Sequence, residues 1–229
     1  MITLYQYEIS PFCDKVRRVL KYKGLEYKIE EISLLDTISG RLKKISDTGK
    51  VPSIEVDGRR ITDSTEIAHY LEAHYPTPPL IPEDKREQAL VHVFEDWADE
   101  ALYFYEMQLR FIVKENAQKW IPKVAKNDPD FVKWIAPLAV PAAMAKVTKA
   151  QGVGRKSITT IKSELDTHFN SLNNWLENSE WLVGDKITLA DISVFVQLYC
   201  LVGTEEGKAI MEQYPRVQDW MNRVSEATE

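Results

Sequence analysis

Over the first 75 residues, the apolar positions switch repeatedly between strand-like and helix-like spacing. The opening run ITLYQY (2–7) is rich in β-formers. It is followed by Ser10-Pro11, then by Phe12, Val16, Val19 and Leu20 at helical spacing, and by Gly24. Serine before a helix, proline in its first turn and glycine past its last turn mark the two ends of an element. EYKIEEI (26–32) alternates as a strand does, and 34–46, with Gly40 inside it, reads as a short helix or an irregular turn. PSIEV and RRIT flank Asp57-Gly58, a dipeptide that suits a tight hairpin. From Ser64 to Tyr75 the residues Ile67, Ala68, Tyr70, Leu71 and Tyr75 gather on one side of a helix. The predicted order is β-α-β-α-β-β-α. A helical crossover joins parallel strands and a hairpin joins antiparallel ones, so the expected sheet is mixed and four-stranded, with helices packed on it.

The segment PTPPLIP (76–82) holds four prolines in seven residues and reads as a stiff linker. Beyond it no strand pattern persists. Residues 83–115 read as a long helical stretch with Ala89, Val93, Trp97, Ala101 and Leu102 in register, and 157–177 as another. Thr188 and Asp191 form a Thr-x-x-Asp variant of the capping box at the start of the apolar helix 189–201, and a last helix is expected from Pro215 to Val224. The Ala/Lys/Gly stretch 142–156 is the expected mobile loop. The division is thus an α/β domain over 1–76, a linker over 77–82 and an all-helical domain over 83–229.

Composition narrows the function classes. With 44% apolar and 28% charged residues and a net charge of −6, the chain lacks the basic surface that nucleic acid requires. Its two cysteines, Cys13 and Cys200, suit a reducing compartment rather than a disulfide framework, and the cytoplasm is expected. The N-terminus has no basic, apolar leader. The apolar stretch 134–145 carries Pro137 and Pro141 and is too short to span a bilayer, so no membrane partner is expected. His69, His74, His92 and His168 show no ligand spacing, and no metal is expected.

Three short motifs could carry chemistry. Ser10-Pro11-Phe12-Cys13 sits at a helix start, where unpaired N–H groups and the positive dipole end stabilise an anion or a thiolate, and Ser10 offers a hydroxyl donor. A free thiol has a pKa of about 8.5 and is mostly protonated at neutral pH, so such stabilisation matters. Lys50-Val51-Pro52 precedes a strand; a cis bond before Pro52 would turn the Val51 backbone toward an extended peptide. Asp63-Ser64 opens a helix and offers a carboxylate, a hydroxyl and free N–H groups to an amino-acid moiety. Taken singly, each also reads as an ordinary helix cap or strand start.

In this order and spacing, and together with GDKITLADISVF (184–195), the motifs resemble the glutathione transferase superfamily over nearly the whole chain. The resemblance implies a thioredoxin-like N-terminal domain that binds glutathione and a helical-bundle C-terminal domain. The Ser-Pro-Phe start resembles the serine-using classes such as the plant tau class, which implies that Ser10 activates the glutathione sulfur. It further implies that Phe12 lines the tripeptide site, that Lys50 meets the glycine carboxylate and that Val51, ahead of Pro52, clamps the cysteinyl backbone. Asp63 and Ser64 would hold the γ-glutamyl end, with Asp one methylene shorter than the usual Glu. Cys13 stands where glutaredoxin and omega-like proteins place a second cysteine, so it is the alternative catalytic residue. Tyr103, Met107 and Phe111 are expected to line a pocket for an apolar electrophile, and a homodimer is expected.

The leading expectation is therefore a glutathione transferase that conjugates glutathione to a small apolar electrophile in detoxification. A glutathione-dependent thiol-disulfide oxidoreductase using Cys13 and a non-catalytic protein-binding module of the same fold are the alternatives.

Overall fold

The chain begins with β1 (Ile2–Gln6), α1 (Pro11–Tyr22), β2 (Tyr27–Glu31), α2 (Leu34–Ile38), α3 (Arg41–Ile45), β3 (Ser53–Val56), β4 (Arg59–Thr62) and α4 (Ser64–His74). All 229 residues are described in the computed structural model. The sheet has the order β2-β1-β3-β4, with β1 and β2 parallel and the other two pairs antiparallel. This is the mixed four-stranded sheet that the spacing predicts, with the thioredoxin-like order that the resemblance implies. Its punctuation is local. Pro11 starts α1 after Ser10, Gly24 in the left-handed region (φ +64°) follows its end, and Asp57 and Gly58 both take positive φ in the hairpin turn. Residues 34–46 form two five-residue helices separated by Gly40 at φ +79°.

Two compact units emerge. The first comprises Met1–Leu80, Pro122–Ala136 and Thr228–Glu229; the second comprises Ile81–Ile121 and Pro137–Ala227. In the first unit Leu4, Val16, Val19, Leu20, Ile54, Ile67 and Leu71 are fully buried between the sheet and its helices. Each such side chain contributes roughly 1.5–3 kcal/mol by leaving water. Lys23 fastens the end of this unit: its buried ammonium donates to the Tyr75 and Pro78 carbonyls at 2.8 and 2.9 Å and pairs with Glu72 at 2.7 Å.

After the linker every element is helical: α5 (Lys85–Trp97), a π-helical turn (Ala98–Leu102), α6 (Tyr103–Ile112), α7 (Lys114–Val124), α8 (Asp130–Gln151), a short 3₁₀ turn (Val153–Arg155), α9 (Ile158–Trp175), α10 (Leu189–Val202), α11 (Glu205–Met211) and α12 (Pro215–Thr228). Three expectations are corrected here. The buried stripe of α5 and the π-helical turn after it runs through Val91, Glu95, Ala98 and Leu102, whereas Val93 is 63% exposed. A charged residue inside the stripe disguised it, and the apolar positions spaced strictly by four lie off the core face. The expected mobile loop 142–156 is largely helix, because Ala, Met and Lys are strong helix formers and the break comes only at Gly152 (φ +122°). Finally, α8 continues through Pro137 and Pro141 for 22 residues. It is long and apolar enough to cross a membrane by length and composition, and only 22% of its most apolar window is buried. Trp134 and Leu138 stand out from it into solvent. The expectation that this segment is too short to span therefore does not hold.

The capping box at α10 forms as expected. Both Asp191 oxygens are used: one accepts from the Thr188 N–H and hydroxyl at 2.8 and 2.9 Å, the other from the Leu182 N–H and the Trp220 indole N–H, both at 2.9 Å. Asp191 and Trp220 are fully buried. Removing the acceptor strands several buried donors, so Asp191→Ala is expected to destabilise the protein by about 3 kcal/mol or more, and Asp191→Asn by less. Urea midpoints of the three proteins check this; equal midpoints would show that the carboxylate contributes nothing beyond its volume.

Candidate functional site

Strand register brings the three sequence motifs to one edge of the sheet. Tyr5 pairs with Ser53 across β1 and β3, and Ser53 pairs with Thr62 across β3 and β4. The end of β1, the start of β3 and the end of β4 therefore lie side by side. From them leave the Ser10 turn, Lys50-Val51-Pro52 and Asp63-Ser64. Lys15, fully buried on α1, donates to Thr65 Oγ1 at 3.2 Å and ties the starts of α1 and α4, the helices that follow two of these motifs, to each other.

Ser10 is half-buried, with extended backbone, and its Oγ accepts from the Cys13 N–H at 3.4 Å. Its own N–H donates to the Tyr7 carbonyl at 3.1 Å, and its carbonyl accepts from the Asp14 N–H at 2.9 Å. The hydroxyl also lies within hydrogen-bonding reach of the Cys13 sulfur, and the first turn of α1 presents its positive end beside it. Phe12, in that first turn, is half-buried.

Lys50 is exposed and makes no ion pair. Its N–H donates to Ser46 Oγ at 3.3 Å, which fixes the backbone just ahead of Val51. The Val51-Pro52 peptide is cis, and Pro52 is buried. Val51 lies outside the β3 ladder and packs, with Tyr5 and Tyr7, against Ile32, Leu42 and Ile45. Asp63 takes φ +77°, an uncommon conformation for a residue with a side chain, and its Oδ1 caps α4 by accepting from Thr65 and Glu66 N–H at 2.9 and 3.4 Å. Oδ2 is not used by the cap. Ser64, the first residue of α4, is 4% exposed.

The aromatic residues of the second unit divide between faces. Met107 and Phe111 are buried in α6 and Tyr103 is half-buried, with burial holding its phenol well above the usual range. Trp97 and Tyr105 instead line a cavity of about 340 Å³ together with Lys156 and His168, a cavity that includes none of Tyr103, Met107 and Phe111. Two of the lining residues share a partner: Glu164 accepts from the Tyr105 hydroxyl and from Lys156, both at 2.7 Å.

Sequence reasoning missed Tyr7, Lys15 and Asp128. Tyr7 ended a strand and Lys15 sat in a helix with no sign that its ammonium is buried. Asp128 lies in the first unit although it is 94 residues beyond Leu34, whose N–H it accepts. No local pattern signals such a contact.

Cys13 is fully buried on the inner face of α1, and Cys200 is buried as expected of an apolar run. Burial outweighs the lowering influence of the Ser10 hydroxyl and the Tyr7 backbone, so the Cys13 thiol is pushed up to about 11. It stays protonated at neutral pH, the opposite of what a redox nucleophile needs. The sign for stability follows. Above the ordinary value of 9.0 the unfolded chain ionises this thiol and the native protein does not. Native stability is then complete below about pH 9 and falls by about 1.4 kcal/mol per pH unit as the pH rises toward the folded value. Cys13→Ala is expected to remove that slope, read as the difference between wild-type and variant urea midpoints at pH 8 and pH 10; parallel profiles would contradict it.

Residues 4–79 match the glutathione S-transferase N-terminal domain and residues 135–227 match the glutathione S-transferase C-terminal domain. A protein named isoprene-epoxide–glutathione S-transferase from Rhodococcus sp. (strain AD45) is 25% identical over 98% of both chains. A probable maleylacetoacetate isomerase 1 of Drosophila melanogaster is 38% identical over 93 residues, a match that covers only 38% of each chain. Human glutathione-S-transferase T1-1 in its apo form superimposes with a TM-score of 0.70, at 21% identity, over 100% of this chain and 84% of that one, which speaks to fold. With two domain models that together span most of its length and a sheet edge arranged as described, the chain belongs to the glutathione S-transferase superfamily, for which glutathione is the implied co-substrate.

Proposed function

We propose that the protein conjugates glutathione to a small apolar electrophile and that Ser10 donates a hydrogen bond to the glutathione thiolate. The observation that carries this reading is the half-buried Ser10 hydroxyl at the positive start of α1, on the same sheet edge as the Val51-Pro52 turn and the capped Asp63-Ser64 corner. In this reading Lys50 offers its unpaired ammonium to the glycine carboxylate and the Val51 backbone pairs with the cysteinyl peptide beside Pro52. The free Oδ2 of Asp63 meets the γ-glutamyl amine, and the Ser64 hydroxyl and N–H, at the positive start of α4, meet the γ-glutamyl carboxylate. Phe12 closes the wall beside the sulfur. The thiol proton is lost to solvent, the thiolate forms a C–S bond with the electrophilic carbon, and the electron pair leaves with the displaced group or the opened ring. Tyr103, Met107 and Phe111 belong to the acceptor side of this reading, and a cytoplasmic homodimer without a metal is its assembled form.

An isomerase reading is favoured by the relative named maleylacetoacetate isomerase. The same thiolate would add to a conjugated double bond, allow rotation about the resulting single bond and leave again, so that glutathione is not consumed. A glutathione-dependent oxidoreductase through Cys13 has the buried, protonated thiol against it. A binding module would show no glutathione-dependent rise in melting temperature at millimolar ligand.

Ser10→Ala is expected to lower kcat/KM for conjugation of an aryl halide by about tenfold or more, the equivalent of one unit of lost thiolate stabilisation, while the Kd for glutathione changes little. Ser10→Thr keeps both cap and donor and should retain most activity. Stopped-flow conjugation assays with isothermal titration of glutathione check this, and unaltered turnover in Ser10→Ala removes Ser10 as activator. Measuring glutathione consumed per substrate converted separates transferase from isomerase.

A further inference from the structure

We propose that the loop between α7 and α8 is a clasp that positions Ser10, with Asp128 as its positioning residue; this rests on the reading of Ser10 given above. The loop lies far along the chain, yet Pro122–Ala136 belongs to the same compact unit as Met1–Leu80.

Asp128 is 3% exposed. Its Oδ2 accepts from the Leu34 N–H at 3.0 Å and its Oδ1 from the Leu35 N–H at 2.8 Å. These are the first two N–H groups of α2, which have no partner within the helix itself. The third, on Asp36, is taken by Ser33 Oγ at 3.1 Å. The start of α2 is thus satisfied half by its own serine and half by Asp128. A five-residue helix has almost no stability of its own, so external capping decides whether it holds its shape.

From α2 the connection runs directly to the Ser10 turn. The Ser33 carbonyl accepts from the Tyr7 hydroxyl at 2.9 Å, and the same hydroxyl meets Thr37 Oγ1. Burial pushes the Tyr7 phenol up, which keeps it a neutral donor. The Tyr7 carbonyl then accepts the Ser10 N–H at 3.1 Å. Tyr7 and Val51 also share the Ile32, Leu42 and Ile45 cluster, so the wall that orients Ser10 also supports the Val51 turn. Lys126, two residues before Asp128, pairs with Glu8 at 2.9 Å, although both side chains are more than half exposed and the pair is correspondingly weak. The loop therefore grips the site at two points, Glu8 and the start of α2, of which the buried one dominates.

Asp128→Ala and Asp128→Asn, in the full chain, test the clasp, with Lys126→Ala as a control expected to change little. Hydrogen exchange should show protection falling about tenfold or more at Leu34, Leu35 and Ser10 in Asp128→Ala, and less in Asp128→Asn, which keeps one acceptor oxygen and the side-chain volume. Amides of α10 should be unaffected. In the conjugation assay the pH midpoint of kcat/KM should move upward and KM for glutathione should rise, again in the order Ala beyond Asn. Loss of protection confined to α2, with the Ser10 amide and the pH midpoint unmoved, would overturn the proposal and leave Asp128 as a plain helix cap. A uniform loss of protection across the unit would overturn it as well. If Asp128→Ala does not fold, Asp128→Asn carries the comparison. If the wild-type protein conjugates nothing, the reading of Ser10 fails, and exchange at the Ser10 amide still decides the clasp.

Discussion

The register of β1 against β3 is the constraint on which the candidate site depends. Leu4 faces Ile54 in this pairing, and both are completely buried. A slip of one residue would turn each of them to the opposite face, so the apolar pattern fixes the alignment strongly. Once it is fixed, the ends of three elements have no freedom to lie apart. A serine at a helix start, a cis-proline turn and an aspartate cap then become neighbours, although more than fifty residues separate the first from the last.

Both units hold their irregular segments with charged groups whose partners are fully accounted for. Lys23 collects two carbonyls and a carboxylate at the end of α4, and Asp191 collects four donors at the start of α10. A buried charge is costly unless its hydrogen-bonding capacity is met, and a network that meets it admits few alternative geometries. Such groups define where a chain can bend. They do for loops what apolar packing does for helices and strands.

Much of the fold was legible because its signals are local. Ser10-Pro11 and Gly24, Asp57-Gly58 and Thr188 with Asp191 each settle a boundary through chemistry within a few residues, and the structure has all of them where the sequence puts them. The family resemblance rests on such local motifs as well. What escaped was set by long-range packing. Glu95 sits in the buried stripe of α5 and hides its period. Pro137 and Pro141 lie inside α8, where local rules would end a helix. The depth of Cys13 depends on what covers α1, and no run of neighbouring residues reports that. Asp128 acts on a helix start 94 residues away.

The interleaving of the two units has a consequence for how this chain can be dissected. A cut at the proline-rich segment releases a piece that carries every motif of the candidate site but not Asp128, since the stretch 122–136 stays with the other fragment. The first eighty residues would keep the sheet and its register while the start of α2 stood bare toward water. Recombination between relatives at that same junction would join the first eighty residues to a 122–136 stretch from another parent. The start of α2 would then face whatever residue the other parent carries in place of Asp128.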